Sequence, residues 1–246
     1  YHNIDPVLLK LAGFEIRYYG LILVLSLILA YFLLPYLAKR KKINISKSQI
    51  ENLLFYTAIA GLIGARLFIV FIYHPDYYLS NPLEIFKIWK GGVSFHGAFL
   101  FGLLAVYFFC KKHKLKFLEV IDIMMIPVAL GFAFGRIGNF LNGELYGRIT
   151  TVPWAVKFKD VEGFRHPSQL YESAKNFLIF FTLLFLANKK TKPGFLLATF
   201  LVMYSTFRFF IEFVREPEIV VGFLTMGQFL CLIMFAAGVY LFYKIK

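Results

Sequence analysis

Seven mostly apolar runs, each near the roughly 20 residues an α-helix needs to cross a bilayer, divide the chain at about 18–38, 51–73, 93–110, 119–138, 169–187, 194–213 and 221–243. The first, third and seventh runs carry no charged residue; the other four each hold at least one. An uncharged run can face lipid on all sides, whereas an ionisable group inside a span belongs in a bundle interior. The pattern therefore predicts an all-α polytopic membrane protein of seven transmembrane helices. A single transmembrane domain over 1–246 is expected, with 139–168 as an external loop or small head segment. The first run is not expected to be a cleavable signal peptide, because its basic cluster follows the apolar stretch.

Composition agrees and narrows the choice. Of 246 residues, 59% are apolar and 17% charged, yet the net charge is +13. Soluble domains are about a quarter charged, so a water-soluble globule and a disordered chain are both excluded, and so basic a chain with this apolar content is no nucleic-acid binder. The charge has an address. Loops after the first, third and fifth runs and the C-terminal tail hold fourteen Lys and Arg and no acid, while the N-terminal stretch and the other loops hold nine bases and nine acids. The positive-inside rule then places the N-terminus outside and the C-terminus in the cytoplasm.

With that orientation, polar residues collect near the external ends of the helices. Arg66, His96, Arg136 with Asn139, the set His166, Gln169 and Glu172, and the set Arg208, Glu212 and Arg215 come from five different runs. Tyr204, Arg208, Glu212 and Arg215 fall at i, i+4, i+8 and i+11, one helical face. Arg208 and Glu212 could simply neutralise one another, but that leaves Arg66 and Arg136 at the same depth unexplained. A surplus of guanidinium groups suits an anionic ligand, since Arg makes forked contacts with phosphate. Lys175 reads as a structural partner. Gly131, Gly135 and Gly138, and Gly61 with Ala65, have the small-residue spacing of close helix contacts; Gly91, Gly92 and Gly97 read as a flexible approach to the third span. The five histidines lack zinc-ligand spacing, Asp122 has no intramembrane partner for aspartyl protease chemistry, and Gly92–His96 misses the serine elbow because position 96 is His. Cys110 and Cys231 are expected to pack in the core. No metal and no cofactor is expected.

Five segments together carry a resemblance: RYYG (17–20), GGVSFHG (91–97), GRIGNFLNGELYGR (135–148), HPSQLYE (166–172) and YSTFRFFIEFVREPE (204–218). In this order, over essentially the whole chain, they resemble the prolipoprotein diacylglyceryl transferase family. The resemblance implies transfer of the diacylglyceryl group of phosphatidylglycerol to the lipobox cysteine of a prolipoprotein signal peptide, forming a thioether and releasing glycerol 1-phosphate. It also implies a bacterial plasma (inner) membrane location and a site near the external face. By motif match, Arg136 is the main phosphate ligand, supported by Asn139, and Arg208 is a second essential guanidinium oriented by Glu212 near Tyr204. His96 is either the base that takes the thiol proton or a hydrogen-bonding residue that shapes the site. Arg66, Tyr19, Glu144 and Gly147 are expected to bind the headgroup or to pair helices, and Arg215 to contact the headgroup at the rim, with Gln169 and Glu172 as buttresses. A lipid or anion transporter and a non-enzymatic scaffold are the rival classes; the first would favour inverted repeats, which the sequence lacks.

Overall fold

The computed structural model describes residues 1–11, 14–87, 94–216 and 220–245. Gly91, Gly92, Val93, Pro217 and Glu218, which belong to the motifs above, lie outside them. Eight α-helices are described: α1 (Tyr18–Arg40), α2 (Lys47–Phe68), α3 (Pro75–Ser80), α4 (Phe95–Lys112), α5 (Phe117–Leu141), α6 (Ser168–Ala187), α7 (Phe195–Ile211) and α8 (Met226–Ile245). Among the described residues six segments are long and apolar enough to cross a membrane: α1, α2 with its continuation to Tyr73, α5, α6, α7 to Val214, and α8. The protein is therefore a helical, multi-pass membrane protein. The third expected run is represented by α4, whose 18 residues do not count among those six. Small β elements add to the helices: an antiparallel pair β1 (Val7–Leu11) and β2 (Phe14–Arg17), and a two-residue pair β3 (Val220–Val221) and β4 (Leu224–Thr225).

Two compact units are formed, residues 42–120 and residues 1–41 with 121–246. In the first, α2 starts at a capping box in which Ser46 and Gln49 exchange side-chain to backbone hydrogen bonds, satisfying two donors that a bare helix start would leave unpaired. At its other end α2 passes into a π-helical turn over Ile69–Tyr73. There the Ile69 amide donates to Arg66 O, and Ala65 O accepts instead from the Ser94 amide at 3.0 Å. Ser94 also caps α4. That link draws α4 onto α2 until Gly64 and Gly97 face each other backbone to backbone. A Cβ on Gly97 would strike Gly64 O and lie 2.7 Å from Gly64 C and 2.8 Å from Phe68 Cβ. Gly97, expected as a flexible residue, is thus a packing residue. Gly97→Ala is expected to destabilise the unit by about 1–3 kcal/mol, the usual cost of overpacking. Gly102→Ala should be near neutral, because its Cβ would rest 3.6 Å from Thr57 Cγ2. Thermal unfolding of the two variants in one detergent checks the pair.

In the second unit α5 is the most enclosed helix, with 61% of its span buried against 17% for α8. Asp122, near its start, accepts from the amides of Gly194 (2.9 Å) and Leu197 (2.8 Å) and so caps α7 from a distance. Gly194 has φ +94°, a left-handed conformation that glycine adopts without strain. The lone intramembrane aspartate is therefore a helix cap. Toward the other end of α5, Gly138 admits Tyr19, whose Cδ2 would lie 2.7 Å from a Cβ there, whereas a Cβ on Gly135 would meet open space. Of the glycine steps expected to bring helices together, Gly138 does so and Gly135 does not. Cys110 and Cys231 are buried and unbridged, and the outward faces of α1 and α8 are apolar, with Val24, Phe32, Ile233 and Tyr240 exposed.

Candidate functional site

One end of the larger unit gathers the polar residues. α5 brings Arg136 and Asn139, the turn after it Glu144 and Gly147, and α6 Gln169, Glu172, Lys175 and Asn176. Tyr204, Arg208, Glu212 and Arg215 come from α7 and the segment that follows it. The helix does not run through that last set. α7 ends at Ile211, a 3₁₀ turn carries Glu212–Val214, and Arg215 leaves in extended conformation.

At the centre, Glu172 is fully buried and divides its oxygens between two cations: Oε2 lies 2.5 Å from Lys175 Nζ and Oε1 lies 2.9 Å from Arg208 Nη1. The same Arg208 nitrogen is 2.6 Å from Glu212 Oε2, which also approaches Arg215 Nε at 3.5 Å. Lys175 Nζ stands 3.9 Å over the Tyr204 ring, a cation–π contact that suits a desolvated ammonium. Lys175, expected as a structural partner, is one, and it stands at the centre of the network. Glu212 is gripped from α8 as well. Thr225 Oγ1 donates to Glu212 Oε1 at 3.0 Å, and a Cβ on Gly227 would lie 2.6 Å from that oxygen. Thr225 and Gln228 form the start of α8 with reciprocal hydrogen bonds, so Glu212 sits at a helix N-terminus, where backbone amides favour negative charge. The Thr-x-x-Gln spacing was the available sequence signal for this grip.

Arg136 differs from the other cations. It is half-buried and within electrostatic range of Glu172, Lys175, Tyr204 and Arg215, yet among the described residues it makes no hydrogen bond or ion pair. Glu172 and Glu212 already face Lys175, Arg208 and Arg215, three cations on two carboxylates, before Arg136 is counted. Arg215 Nη1, Gln169 Oε1 and Asn176 Oδ1 are likewise buried without a hydrogen-bond partner among the described residues. The two amide oxygens are acceptors, but surplus positive charge with the unmet Arg215 donor is the arrangement of an anion site.

The rim holds this cluster in place. Asn139 Nδ2 donates to Glu144 Oε1 at 2.8 Å, and Gln169 Nε2 donates to Glu144 O at 2.6 Å, so α5, the turn and α6 are fastened together. Gly147 lies between two strands of backbone: its amide donates to His166 O, and a Cβ would strike Val214 O and lie 2.8 Å from His166 Cβ. Arg148 continues the junction, donating from its amide to Val214 O and from Nε to Arg215 O. Burial pushes the His166 imidazole below its ordinary value, and its Nδ1 is 3.2 Å from the Tyr171 hydroxyl. Tyr19, on Gly138, is within electrostatic range of Glu144 and Arg136.

Arg66 and His96 belong to the unit of residues 42–120. Arg66 is buried; its Nε donates to Ile85 O at 2.8 Å and its Nη2 to Glu84 O at 2.5 Å, and its guanidinium stands 5.0 Å from the Tyr78 ring centroid. It fastens the segment 74–87. His96 is exposed in the first turn of α4, with Nδ1 3.2 Å from the Tyr73 hydroxyl.

Residues 6–244 match the family model of prolipoprotein diacylglyceryl transferase. Proteins named phosphatidylglycerol–prolipoprotein diacylglyceryl transferase are similar along almost their whole length. The one from Ehrlichia ruminantium (strain Welgevonden) is 40% identical over 248 residues, covering 96% of this chain and 95% of the relative. That of Geobacter sulfurreducens is 40% identical over 96% and 93%, and that of Bordetella avium is 41% identical over 97% and 93%. A match of this extent, on a membrane bundle built around an arginine-rich polar site, shows that the chain belongs to the prolipoprotein diacylglyceryl transferase family.

Proposed function

We propose that this protein transfers the diacylglyceryl group of phosphatidylglycerol to the lipobox cysteine thiol of prolipoproteins, in a bacterial inner membrane, at a site near the external face. Seven spans are proposed, α4 being the seventh, with the N-terminus outside and the C-terminus in the cytoplasm. The lysine-rich loops between alternate spans support this orientation. The observation that carries the reading is Arg136, a half-buried guanidinium without a hydrogen-bond or ion-pair partner among the described residues, beside a network that already has more bases than acids.

The chemistry is displacement at a glyceryl carbon. The thiol sulfur attacks the carbon that bears the phosphate ester, a C–S bond forms as the C–O bond breaks, and glycerol 1-phosphate leaves with the bonding electrons. Charge grows on the phosphate oxygens as this happens. Arg136 is proposed to neutralise it with its fork, with Arg208 as the second guanidinium and Arg215 at the headgroup. Asn139, Glu144 and Gly147 shape the headgroup side together with Tyr19, Gln169 buttresses it through Glu144, and Tyr204, Glu212 and Glu172 hold Arg208. Arg66 is proposed as a wall residue. The thiol, with a reference pKa of about 8.5, must give up its proton, and His96 is the proposed acceptor. That role requires the tautomer in which Nδ1–H donates to the Tyr73 hydroxyl, leaving Nε2 with its lone pair. His96→Gln is then expected to lower transfer by about a hundredfold and flatten its pH profile; near-normal activity with an unchanged profile rejects the base.

Purified protein incubated with phosphatidylglycerol and a lipobox peptide tests the whole reading. A diacylglyceryl mass gain on the cysteine, with glycerol phosphate released, is the expected result. An unmodified peptide together with phosphatidylglycerol movement across the bilayer would establish the transporter instead.

A further inference from the structure

The segment between α5 and α6 carries a feature the reaction does not use. Its backbone folds back on itself, with Val156 and Arg165 exchanging amide to carbonyl hydrogen bonds and the Thr150 amide donating to Phe164 O. Pro153 and Trp154 occupy the centre of a turn closed by the Ala155 amide on Val152 O at 3.0 Å. Proline presets the backbone of such a turn, so Trp154 is presented from a defined position. The indole is 60% exposed, yet its Nε1 donates to the Tyr171 hydroxyl at 2.6 Å. Tyr171 lies in the first turn of α6, a membrane-crossing helix. A large apolar ring is therefore held out from the protein, with its one polar atom tied down, within a turn of the end of a span.

Tyr171 makes the tether directional. Its oxygen accepts from Trp154, so its single proton can serve His166 Nδ1, 3.2 Å away. His166 O in turn receives the Gly147 amide. A chain of contacts thus runs from the exposed indole to the backbone junction that borders the arginine cluster. The surroundings of Trp154 add exposed apolar surface, with Ile149 and Phe164 in the same folded segment. Tryptophan at the end of a spanning helix prefers the headgroup level of a bilayer, where its ring is amphipathic in the right sense.

We propose that Trp154 is an interfacial anchor that docks the 142–167 segment onto the headgroup zone of the bilayer the protein spans. The occupant of this face is lipid, because the tether is to a spanning helix and holds the exposed apolar ring within a turn of that helix's end. The inference rests on α6 crossing the membrane and not on the transfer reaction, so it can fail while the proposed activity stands.

Site-resolved fluorescence tests it. The chain has two tryptophans, and Trp89→Phe leaves Trp154 as the only reporter. The full chain is placed in nanodiscs of phosphatidylcholine with phosphatidylglycerol, the acyl chains brominated either near the headgroup or near the methyl end. The expected result is a blue-shifted emission that loses more intensity to the shallow bromines than to the deep ones and is shielded from aqueous iodide. Tyr171→Phe should broaden this depth preference, because the indole loses its tether. If Trp89→Phe does not fold, the difference between wild type and Trp154→Phe reads the same residue. Emission quenched by iodide like free indole and unaffected by either bromolipid would show the ring standing in water and overturn the proposal. Shielding from both iodide and bromolipid would assign the face to a protein partner and overturn it as well.

Discussion

Arg136→Ala is expected to lower diacylglyceryl transfer by about a hundred- to a thousandfold, the usual consequence of removing one well-placed donor to developing charge, while leaving the fold as stable as before. The two halves of this expectation come from one observation. Among the described residues nothing in the protein hydrogen-bonds or ion-pairs with Arg136, so its removal strands no partner, and it relieves a site in which three cations already face two carboxylates. Function and stability should therefore separate cleanly at this position. Arg208→Ala cannot behave the same way. It would strip the partner at 2.9 Å from Glu172 and the partner at 2.6 Å from Glu212, and should cost both activity and stability. Arg136→Lys keeps the charge but not the planar fork, and should recover only part of the loss. Initial rates on a lipobox peptide, beside thermal unfolding of the same preparations, check all three. Full transfer by Arg136→Ala would remove it as the phosphate ligand, and a large fall in stability would mean that it holds the bundle.

Much of this architecture could be read before any coordinates, for physical reasons that differ by element. The membrane helices were legible because bilayer thickness permits few solutions: the run expected at 169–187 is helical over Ser168–Ala187, and that at 18–38 over Tyr18–Arg40. The gathering of Arg136, Arg208, Glu212 and Glu172 followed from the same arithmetic, since helix phase and direction put them at one end. What escaped depended on contacts between segments remote in sequence. Arg66 was expected at the headgroup or in helix pairing, and the hold its fork takes on the carbonyls of residues 84 and 85 is one that no periodicity could reveal. Glu212 and Arg215 looked like a continuation of the α7 face. The helix stops at Ile211, and Pro217, shortly beyond, was the one hint of an ending. Gly97 looked loose because it follows two other glycines at short range, yet its lack of a side chain is what lets α4 meet α2. Lys175 was legible as a structural partner, but a cation three residues from a glutamate resembles any helix-surface pair, and only its burial places it at the centre of the network.

That burial supports the second large expectation. Glu172→Gln should destabilise the protein by about 3–5 kcal/mol, the range found when one member of a buried ion pair is removed and its partner stays charged. Glu172 is fully buried, and Lys175 at 2.5 Å has a side chain only 3% exposed, so water cannot take over the lost interaction. The amide would also leave Arg208 with Glu212 alone. Lys175→Met should cost less, because Glu172 retains Arg208 at 2.9 Å and the thioether chain still packs beneath the Tyr204 ring, where the ammonium now stands. The double variant Glu172→Gln with Lys175→Met removes one charge of each sign, and it should recover a large part of the stability lost by Glu172→Gln alone. The recovery is the diagnostic quantity, because a residue that merely filled space would show additive losses. Unfolding in a single detergent, followed for both single variants and the double, measures that coupling. If the double variant is as unstable as the sum of its parents, Glu172 and Lys175 do not act as a pair, and the charge balance that leaves Arg136 available to an anion must be drawn differently.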